Sequence, residues 1–227
     1  MQGNLISIYE KLYSKFGPQK WWPSTLEGEL IPSYHGQEPN NKMRFEVAVG
    51  AILTQNTTWT NVIKAIANLN RSRLMSPENI FLADRDSLCN EIRSSGYYNQ
   101  KYKKLISLSE WWKENFTDIK IGSRDSSYLE TIRNSLLSIN GIGPETADSI
   151  LLYAFDMPSF VIDTYTKRVL ARHYGIDSNI KYDSLHSMFM KELPNETILF
   201  KEYHALFVAL GKHLCRKSVC LENCPLK

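Results

Sequence analysis

Apolar residues recur along this chain at the spacing of helices. In residues 4–16 they lie three or four positions apart, at Leu5, Ile8, Leu12 and Phe16, which puts them on one face of a helix. Similar spacing or capping signals predict further helices over residues 43–54, 59–69, 85–93, 99–115, 125–139, 144–156, 163–174, 181–192 and 196–213, with a short one opening at Ser76-Pro77-Glu78. No segment shows the alternation that is typical of a strand, so we predict an all-α fold.

One stretch, LLSINGIGPETADSILLYAFDMPSFVID from Leu136 to Asp163, combines a tight turn with a lone carboxylate. A helix is expected to end near Asn140, and Gly141-Ile142-Gly143 to reverse the chain before Pro144 opens the next helix. Glycines at a helix N-terminus expose backbone N–H groups that can bind an anion such as phosphate. The pattern fits chemistry on a polyanion, or else a plain helical hairpin with Asp163 as an N-cap.

Composition narrows the class of protein without naming a function. The chain has 227 residues, of which 43% are hydrophobic and 22% charged, as in ordinary globular domains. No apolar run approaches the roughly 20 residues that span a bilayer, and the N-terminus lacks the pattern of a signal peptide. We therefore expect a cytoplasmic protein without membrane association. The net charge of +3 permits nucleic-acid binding, but any basic surface must then be local.

Three further segments carry residues suited to nucleic acid. Gln55 and Asn56 lie at a predicted helix–helix junction beside Trp59, as a probe of the base stack or as turn residues. The segment 97–104, YYNQKYKK, mixes aromatic residues with cations such as Lys101 and suits a nucleic-acid backbone, with a solvated helix start as the alternative. Trp21-Trp22-Pro23 is expected to place one indole in the core and leave the other partly exposed, or else to bury both indoles as anchors of the N-terminal segment.

The cysteines indicate a metal centre near the C-terminus. Cys89 stands alone at the apolar end of a helix and is expected to be a buried thiol. The others, Cys215, Cys220 and Cys224, form a C-x4-C-x3-C group, which in a cytosolic chain favours metal binding over disulfides. One ligand is missing: His213 is a candidate for a zinc site, and a non-cysteine or external ligand for an iron–sulfur cluster.

These motifs together resemble the endonuclease III superfamily of DNA glycosylases. The segment LLSINGIGPETADSILLYAFDMPSFVIDTYTKRVLAR resembles its helix-hairpin-helix and Gly/Pro-rich loop, and GAILTQNT resembles its glutamine-bearing turn. SSGYYNQKYKKL resembles a further family segment, and GKHLC…C…CPL its iron–sulfur loop. The pieces occur in the family's order. The resemblance implies a base-excision repair enzyme, associated with the nucleoid and monomeric, that acts on double-stranded DNA containing a damaged base.

The resemblance also implies the organisation of the chain. Residues 42–158 would form a six-helix barrel subdomain that contains the helix-hairpin-helix at about 130–155. Residues 1–41 and 159–227 would form a second helical subdomain, which ends in a cysteine-containing loop over 213–227.

Family roles carry over to matching positions. Asp163 matches the catalytic aspartate, Gly141, Ile142 and Gly143 match the phosphate-binding hairpin, and Gln55 matches the residue that fills the gap left by an extruded base; Asn56 and Lys101 are expected to contact DNA beside it. Glu145 stands where bifunctional members hold a lysine nucleophile. Since a glutamate cannot form a Schiff base, we predict a monofunctional glycosylase without lyase activity.

The combination of WWP, LTQNT and SGYYNQK resembles more closely the bacterial 3-methyladenine glycosylases of the superfamily. It implies an aromatic base pocket lined by Trp21, Trp22, Pro23, Trp59 and Glu145. Aromatic rings would attract a cationic alkylated purine. Those relatives lack the metal cluster, so the cysteines leave a [4Fe–4S] cluster open. The alternatives are an enzyme for oxidised or mismatched bases and a non-catalytic DNA-binding module.

Overall fold

The computed structural model describes residues 4–227, and its regular structure is helical. The α-helices, numbered α1 to α11 in chain order, are Asn4–Phe16, Asn41–Leu53, Trp59–Arg71, Pro77–Leu82, Arg85–Glu91, Tyr98–Asn115, Ser126–Leu137, Pro144–Ser149, Thr164–Tyr174, Tyr182–Glu192 and Thr197–His213. A π-helical turn, Ile150–Ala154, continues α8. Strand-like pairing within residues 4–227 is limited to the isolated bridges Ser24–Ser33 and Cys215–Cys220.

The prediction of an all-α fold is confirmed, and each predicted helix has a counterpart. Over the described part of the chain, no helix combines the length and the apolar character that crossing a bilayer requires.

Residues 22–157 form one compact unit, which contains α2 to α8. Helix α2 is buried along nearly its whole length, and aromatic rings from other helices gather around it. The ring of Phe45 packs edge-on against Trp112 of α6 at 5.3 Å, and Trp112 stacks on Phe116 at 4.7 Å. Trp112 also lies 5.3 Å from Phe155, which follows the π-helical turn. These rings join α2, α6 and the end of the hairpin helix in one core.

The loop 22–41 belongs to this unit because buried hydrogen bonds fasten it to α2. The carboxylate of Glu46, which is 2% exposed, accepts bonds from the backbone N–H and the hydroxyl of Thr25 at 2.7 and 2.9 Å. Asn70 of α3 donates to the other carboxylate oxygen at 3.3 Å. A buried carboxylate is costly without such donors. The two units of the structure meet between residues 21 and 22 and between residues 157 and 158.

The second unit comprises, within the described chain, residues 4–21 and 158–227, with α1, α9, α10 and α11. Tyr203 of α11 is fully buried, and its hydroxyl donates to the carbonyl of Leu5 in α1 at 2.8 Å. The Tyr203 ring stacks on Phe207 at 4.7 Å and meets Phe160 edge-on at 5.6 Å. These contacts join the first helix to the C-terminal ones, so segments far apart in sequence build a common core.

Candidate functional site

The glycine turn between α7 and α8 has the form expected of the hairpin. Gly141 is exposed with φ of +86°, a left-handed conformation that favours glycine, and a Cβ there would lie 2.5 Å from the side chain of Lys104. Ile142 is buried at 5% exposure and anchors the turn. Gly143 occupies the N-cap of α8 without a side-chain acceptor, and Pro144 takes the first helical turn. The first turn of α8 therefore has backbone N–H groups that no side chain of its N-cap residue satisfies.

A short hydrogen-bonded network links this turn to the loop after α2. Gln55 donates from Nε2 to the Gly141 carbonyl at 3.3 Å and to the Thr146 hydroxyl at 2.9 Å. Its Oε1 accepts from the ammonium of Lys104 at 2.5 Å. Asn56, next in the loop, is exposed and has φ of +55°. The structure thus places Gln55 against the hairpin. It also places there the ammonium of Lys104, a residue that the sequence analysis did not select.

An ion pair holds the two helices of the hairpin together. Arg133 of α7 donates from Nε and Nη2 to the two carboxylate oxygens of Asp148 in α8, at 2.8 and 3.0 Å. Asp148 is fully buried. Such a bidentate pair fixes the relative orientation of its partners as well as their separation. Glu145, one turn earlier in α8, is exposed.

Lys101, which was expected from the sequence to contact DNA, is buried and hydrogen-bonded within the protein. The residue is 2% exposed, and its ammonium donates to the carbonyls of Leu53 and Ser95 at 2.8 and 2.7 Å. Burial, together with the nearby charge of Lys104, lowers the pKa of Lys101 to about 8. Its ammonium satisfies carbonyl groups at the end of α2 and at the end of the 3-10 turn Arg93–Ser95. A charge pattern in the sequence could not distinguish this lysine from its exposed neighbours.

Replacing Lys101 with Met is expected to lower the free energy of unfolding by about 1–3 kcal/mol, because buried carbonyls lose their donor. The unfolded chain holds this proton with the ordinary pKa of 10.5, above the folded value of about 8. The contribution of Lys101 to stability should therefore grow as the pH rises from 8 to 10.5. Urea unfolding at pH 7 and pH 9.5 measures both effects. Lys103→Met, at an exposed position of α6, is the control, and an equal loss there would contradict the assigned role.

The predicted aromatic pocket residues separate into two groups. Trp22 lies edge-on to Trp59 with ring centroids 5.6 Å apart, and its ring is 5.2 Å from that of Tyr153. Pro23 is buried beside them in sequence. Trp21 belongs to the other unit, where its ring meets the imidazole of His204 edge-on at 5.6 Å.

Asp163 is the N-cap of α9, as its position in sequence allowed. Its Oδ1 accepts from the backbone N–H of Thr166 at 2.7 Å and from the Thr166 hydroxyl at 2.8 Å. Its Oδ2 lies 3.6 Å from Nε2 of His204 in α11. Burial alone would raise the pKa of Asp163, but the imidazole of His204 and the bonds from Thr166 outweigh it and hold the pKa below its ordinary value. The carboxylate is therefore ionised at neutral pH, with a side chain that retains 10% exposure.

Two further residues surround this carboxylate. His204 is 4% exposed and is close both to the carboxylate of Asp163 and to the ring of Trp21. The ammonium of Lys212, about two turns after His204 in α11, lies 5.9 Å from the centroid of the Trp21 ring. Burial lowers the pKa of Lys212, and the charge of Asp163 opposes that shift. No local spacing relates these residues to Asp163, so sequence reasoning missed them.

The C-terminal cysteines meet a histidine that sequence reasoning also missed. Nε2 of His173, near the end of α9, lies 3.6, 3.5 and 3.8 Å from the sulfurs of Cys215, Cys220 and Cys224. His213, the expected zinc ligand, is exposed instead. The cysteine cluster at the C-terminus is therefore a four-donor group of three thiols and one imidazole. Cys89 is a buried free thiol, as expected.

The chain was compared with protein-family models and with known proteins, and both comparisons found similar sequences. The model of the HhH-GPD superfamily of base excision DNA repair proteins matches residues 49–195, more than half of the chain. A Methanocaldococcus jannaschii protein with a provisional name as a DNA repair glycosylase is 42% identical over 98% of this chain and 94% of its own length. Endonuclease III of Sulfolobus acidocaldarius is 30% identical over 88% of this chain and 86% of its own.

Solved structures are similar over nearly the whole chain. The H. pylori 3-methyladenine DNA glycosylase MagIII bound to 1,N6-ethenoadenine is 28% identical, covers 92% of this chain and 97% of its own, and has a TM-score of 0.70. An endonuclease III–DNA complex covers 100% of this chain and 93% of its own with a TM-score of 0.72, and at 18% identity it supports the fold alone. The resemblance inferred from the motifs is confirmed: this chain belongs to the HhH-GPD superfamily of base excision DNA repair proteins, a family of DNA glycosylases.

Proposed function

We propose that the protein is a monofunctional DNA glycosylase that hydrolyses the N-glycosidic bond of an alkylated purine such as 3-methyladenine. The observation that carries base release is the ionised carboxylate of Asp163, held by Thr166 and facing His204. As the bond between base and sugar breaks, its electron pair leaves with the base and positive charge develops on the sugar. A fixed carboxylate stabilises that charge and can orient the water that then adds to the sugar.

The hairpin and its neighbours are proposed to hold the DNA. The N-terminus of α8 and the ammonium of Lys104 offer donors and charge to a phosphate. Gln55 is proposed to fill the space of the extruded base, with the exposed Asn56 beside it. To do so, Gln55 must exchange its bonds to Gly141 and Thr146 for bonds to DNA. The proposed partner is duplex DNA with a damaged base, and the family resemblance implies that a monomer associated with the nucleoid binds it.

The absence of lyase activity is proposed from the identity of residue 145. Glu145 stands in the first turn of α8, where it offers no amine to attack the sugar. The ammonium of Lys167, close to Asp163 in sequence, donates to the Ile180 carbonyl at 3.0 Å. Lys212 is the amine whose pKa the charge of Asp163 affects, so it is the residue to examine if a covalent intermediate forms.

The substrate class is proposed from the aromatic residues and from the 28% identity to the 3-methyladenine enzyme MagIII. Trp22, Trp59 and Tyr153 supply the rings, and base–aromatic stacking contributes about 1–3 kcal/mol per base. Lys212 supports a second candidate, because its charge beside Trp21 would disfavour a cationic base there. That candidate is an uncharged base, such as thymine or uracil opposite guanine.

The test is a panel of duplexes that each carry one defined lesion, incubated with the purified protein. We expect release of 3-methyladenine or ethenoadenine and an abasic site that breaks only after alkali treatment. Release of mismatched thymine or uracil without any alkylated purine would favour the second candidate, and release of no base would favour a binding module. Trapping with borohydride would give no covalent adduct, and an adduct that Lys212→Met abolishes would contradict the monofunctional assignment.

The family resemblance also implies a [4Fe–4S] cluster at the C-terminal cysteines, and the donors of this chain do not fit one. Such a cluster usually binds four cysteines, and because each ligand binds a different iron, the ligand atoms stand roughly 6 Å apart. Here there are three cysteines, and the donor atoms of His173, Cys220 and Cys224 all lie within 4.8 Å of one another. We therefore assign no step of the reaction to an iron–sulfur cluster.

A further inference from the structure

We infer that His173, Cys215, Cys220 and Cys224 bind one tetrahedral metal ion, zinc, in place of the iron–sulfur cluster that the resemblance to endonuclease III implies. Zinc binds thiolates at about 2.3 Å and imidazole nitrogen at about 2.0–2.1 Å, so a tetrahedral site separates nitrogen from sulfur by about 3.5 Å. The three nitrogen–sulfur distances of 3.5, 3.6 and 3.8 Å match that separation. A Cys3His donor set is a common composition for structural zinc.

Backbone hydrogen bonds of the loop place the three thiols near one another. Cys215 and Cys220 face each other across an isolated antiparallel bridge, and the N–H of Leu221 donates to the Leu214 carbonyl at 2.9 Å. Cys224 then follows in a turn, where its N–H donates to the Leu221 carbonyl at 3.1 Å. Cys215 is held close to the imidazole, whereas Cys220 and Cys224 are close both to the imidazole and to each other.

The surroundings of the four donors suit a bound cation. The ring of His173 hydrogen-bonds to the backbone of Leu226, while Nε2 faces the three sulfurs. Metal-binding histidines commonly donate their other ring nitrogen to such a partner, which fixes the tautomer. The guanidinium of Arg172 donates to the Cys215 sulfur at 3.3 Å. Three thiolates and a divalent ion leave one negative charge, which Arg172 offsets.

The inferred site joins two elements of the same unit. His173 lies at the end of α9, the helix that begins after Asp163, and the cysteines lie beyond the end of α11. Arg168, also in α9, donates to the carbonyls of Cys215 and Gly211 at 3.1 and 2.9 Å. A metal bound here would therefore stabilise the position of the helix that Asp163 caps, without contacting the reacting atoms.

The test is the metal content of the full chain, purified without added metal or chelator. Elemental analysis should find one zinc per chain, and a sulfide assay should find no acid-labile sulfide. The absorption spectrum should show no iron–sulfur charge-transfer band at about 400 nm. Four irons and four sulfides per chain, or no metal, would overturn the inference. One iron without sulfide would support a mononuclear site and overturn the assignment to zinc.

Variants distinguish the ligand from its neighbours. His173→Ala should weaken zinc affinity by more than the roughly 10–100-fold that loss of a supporting residue causes. His173→Cys restores a fourth donor and should retain one zinc, which keeps the test decisive if the alanine variant does not fold. His213→Ala is the control at an exposed histidine. Zinc loss in His213→Ala but not in His173→Ala would refute the ligand set.

Discussion

Replacing Asp163 with Asn is expected to slow base release by on the order of 10³-fold while leaving DNA affinity nearly unchanged. Asparagine has the same shape and is an equally good N-cap, so its Oδ1 can still accept from the backbone N–H of Thr166. What it lacks is the charge that stabilises the developing sugar cation. Single-turnover kinetics on the preferred lesion duplex measure the rate, and fluorescence anisotropy measures the affinity.

The matched control is Asp84→Asn, because Asp84 also caps a helix, α5, with a side-chain bond to the Ser87 N–H. That variant should keep the wild-type rate. If Asp163→Asn releases the base as fast as wild type, the carboxylate has no part in catalysis and the proposed mechanism fails. If both variants lose activity together with helical structure, their circular dichroism spectra will reveal it.

Replacing Arg133 with Met is expected to lower the free energy of unfolding by about 3–5 kcal/mol, because it removes the guanidinium that binds both oxygens of a buried carboxylate. Asp148 is fully buried, and Arg133 binds both of its oxygens at 2.8 and 3.0 Å. The pair joins the two helices on either side of the glycine turn, so DNA affinity should fall along with stability. Denaturant unfolding and a DNA-binding titration measure the two effects.

Two comparisons isolate the cause. Arg85→Met removes an exposed arginine whose ion pair with Asp86 spans 3.9 Å, and it should change stability by less than about 0.5 kcal/mol. The double variant Arg133→Met/Asp148→Leu removes both charges and should recover much of the lost stability. A double variant no more stable than Arg133→Met would mean that packing, and not the unpaired charge, accounts for the loss.

Features that depend only on residues close together in the sequence could be predicted from the sequence. Helical periodicity is a short-range pattern. Gly141 likewise predicts a turn, because its left-handed backbone conformation is one that few other residues adopt without strain. The sequence also allowed Asp163 to be a helix cap, as the structure shows, and its match to the family's catalytic aspartate stays a prediction. For Lys101 the sequence shows the charge but not the burial of the side chain.

By itself the sequence determined the all-α fold, the family and the residues of the hairpin, since each is encoded by local periodicity or by a short motif. Only the tertiary structure decided which side chains meet across the chain: His204 with Asp163, and His173 with the C-terminal cysteines. It also decided that the loop after Trp22 packs with α2. The physical reason is that such contacts depend on how whole helices pack. The spacing of residues along one segment does not specify which other segment that segment will contact.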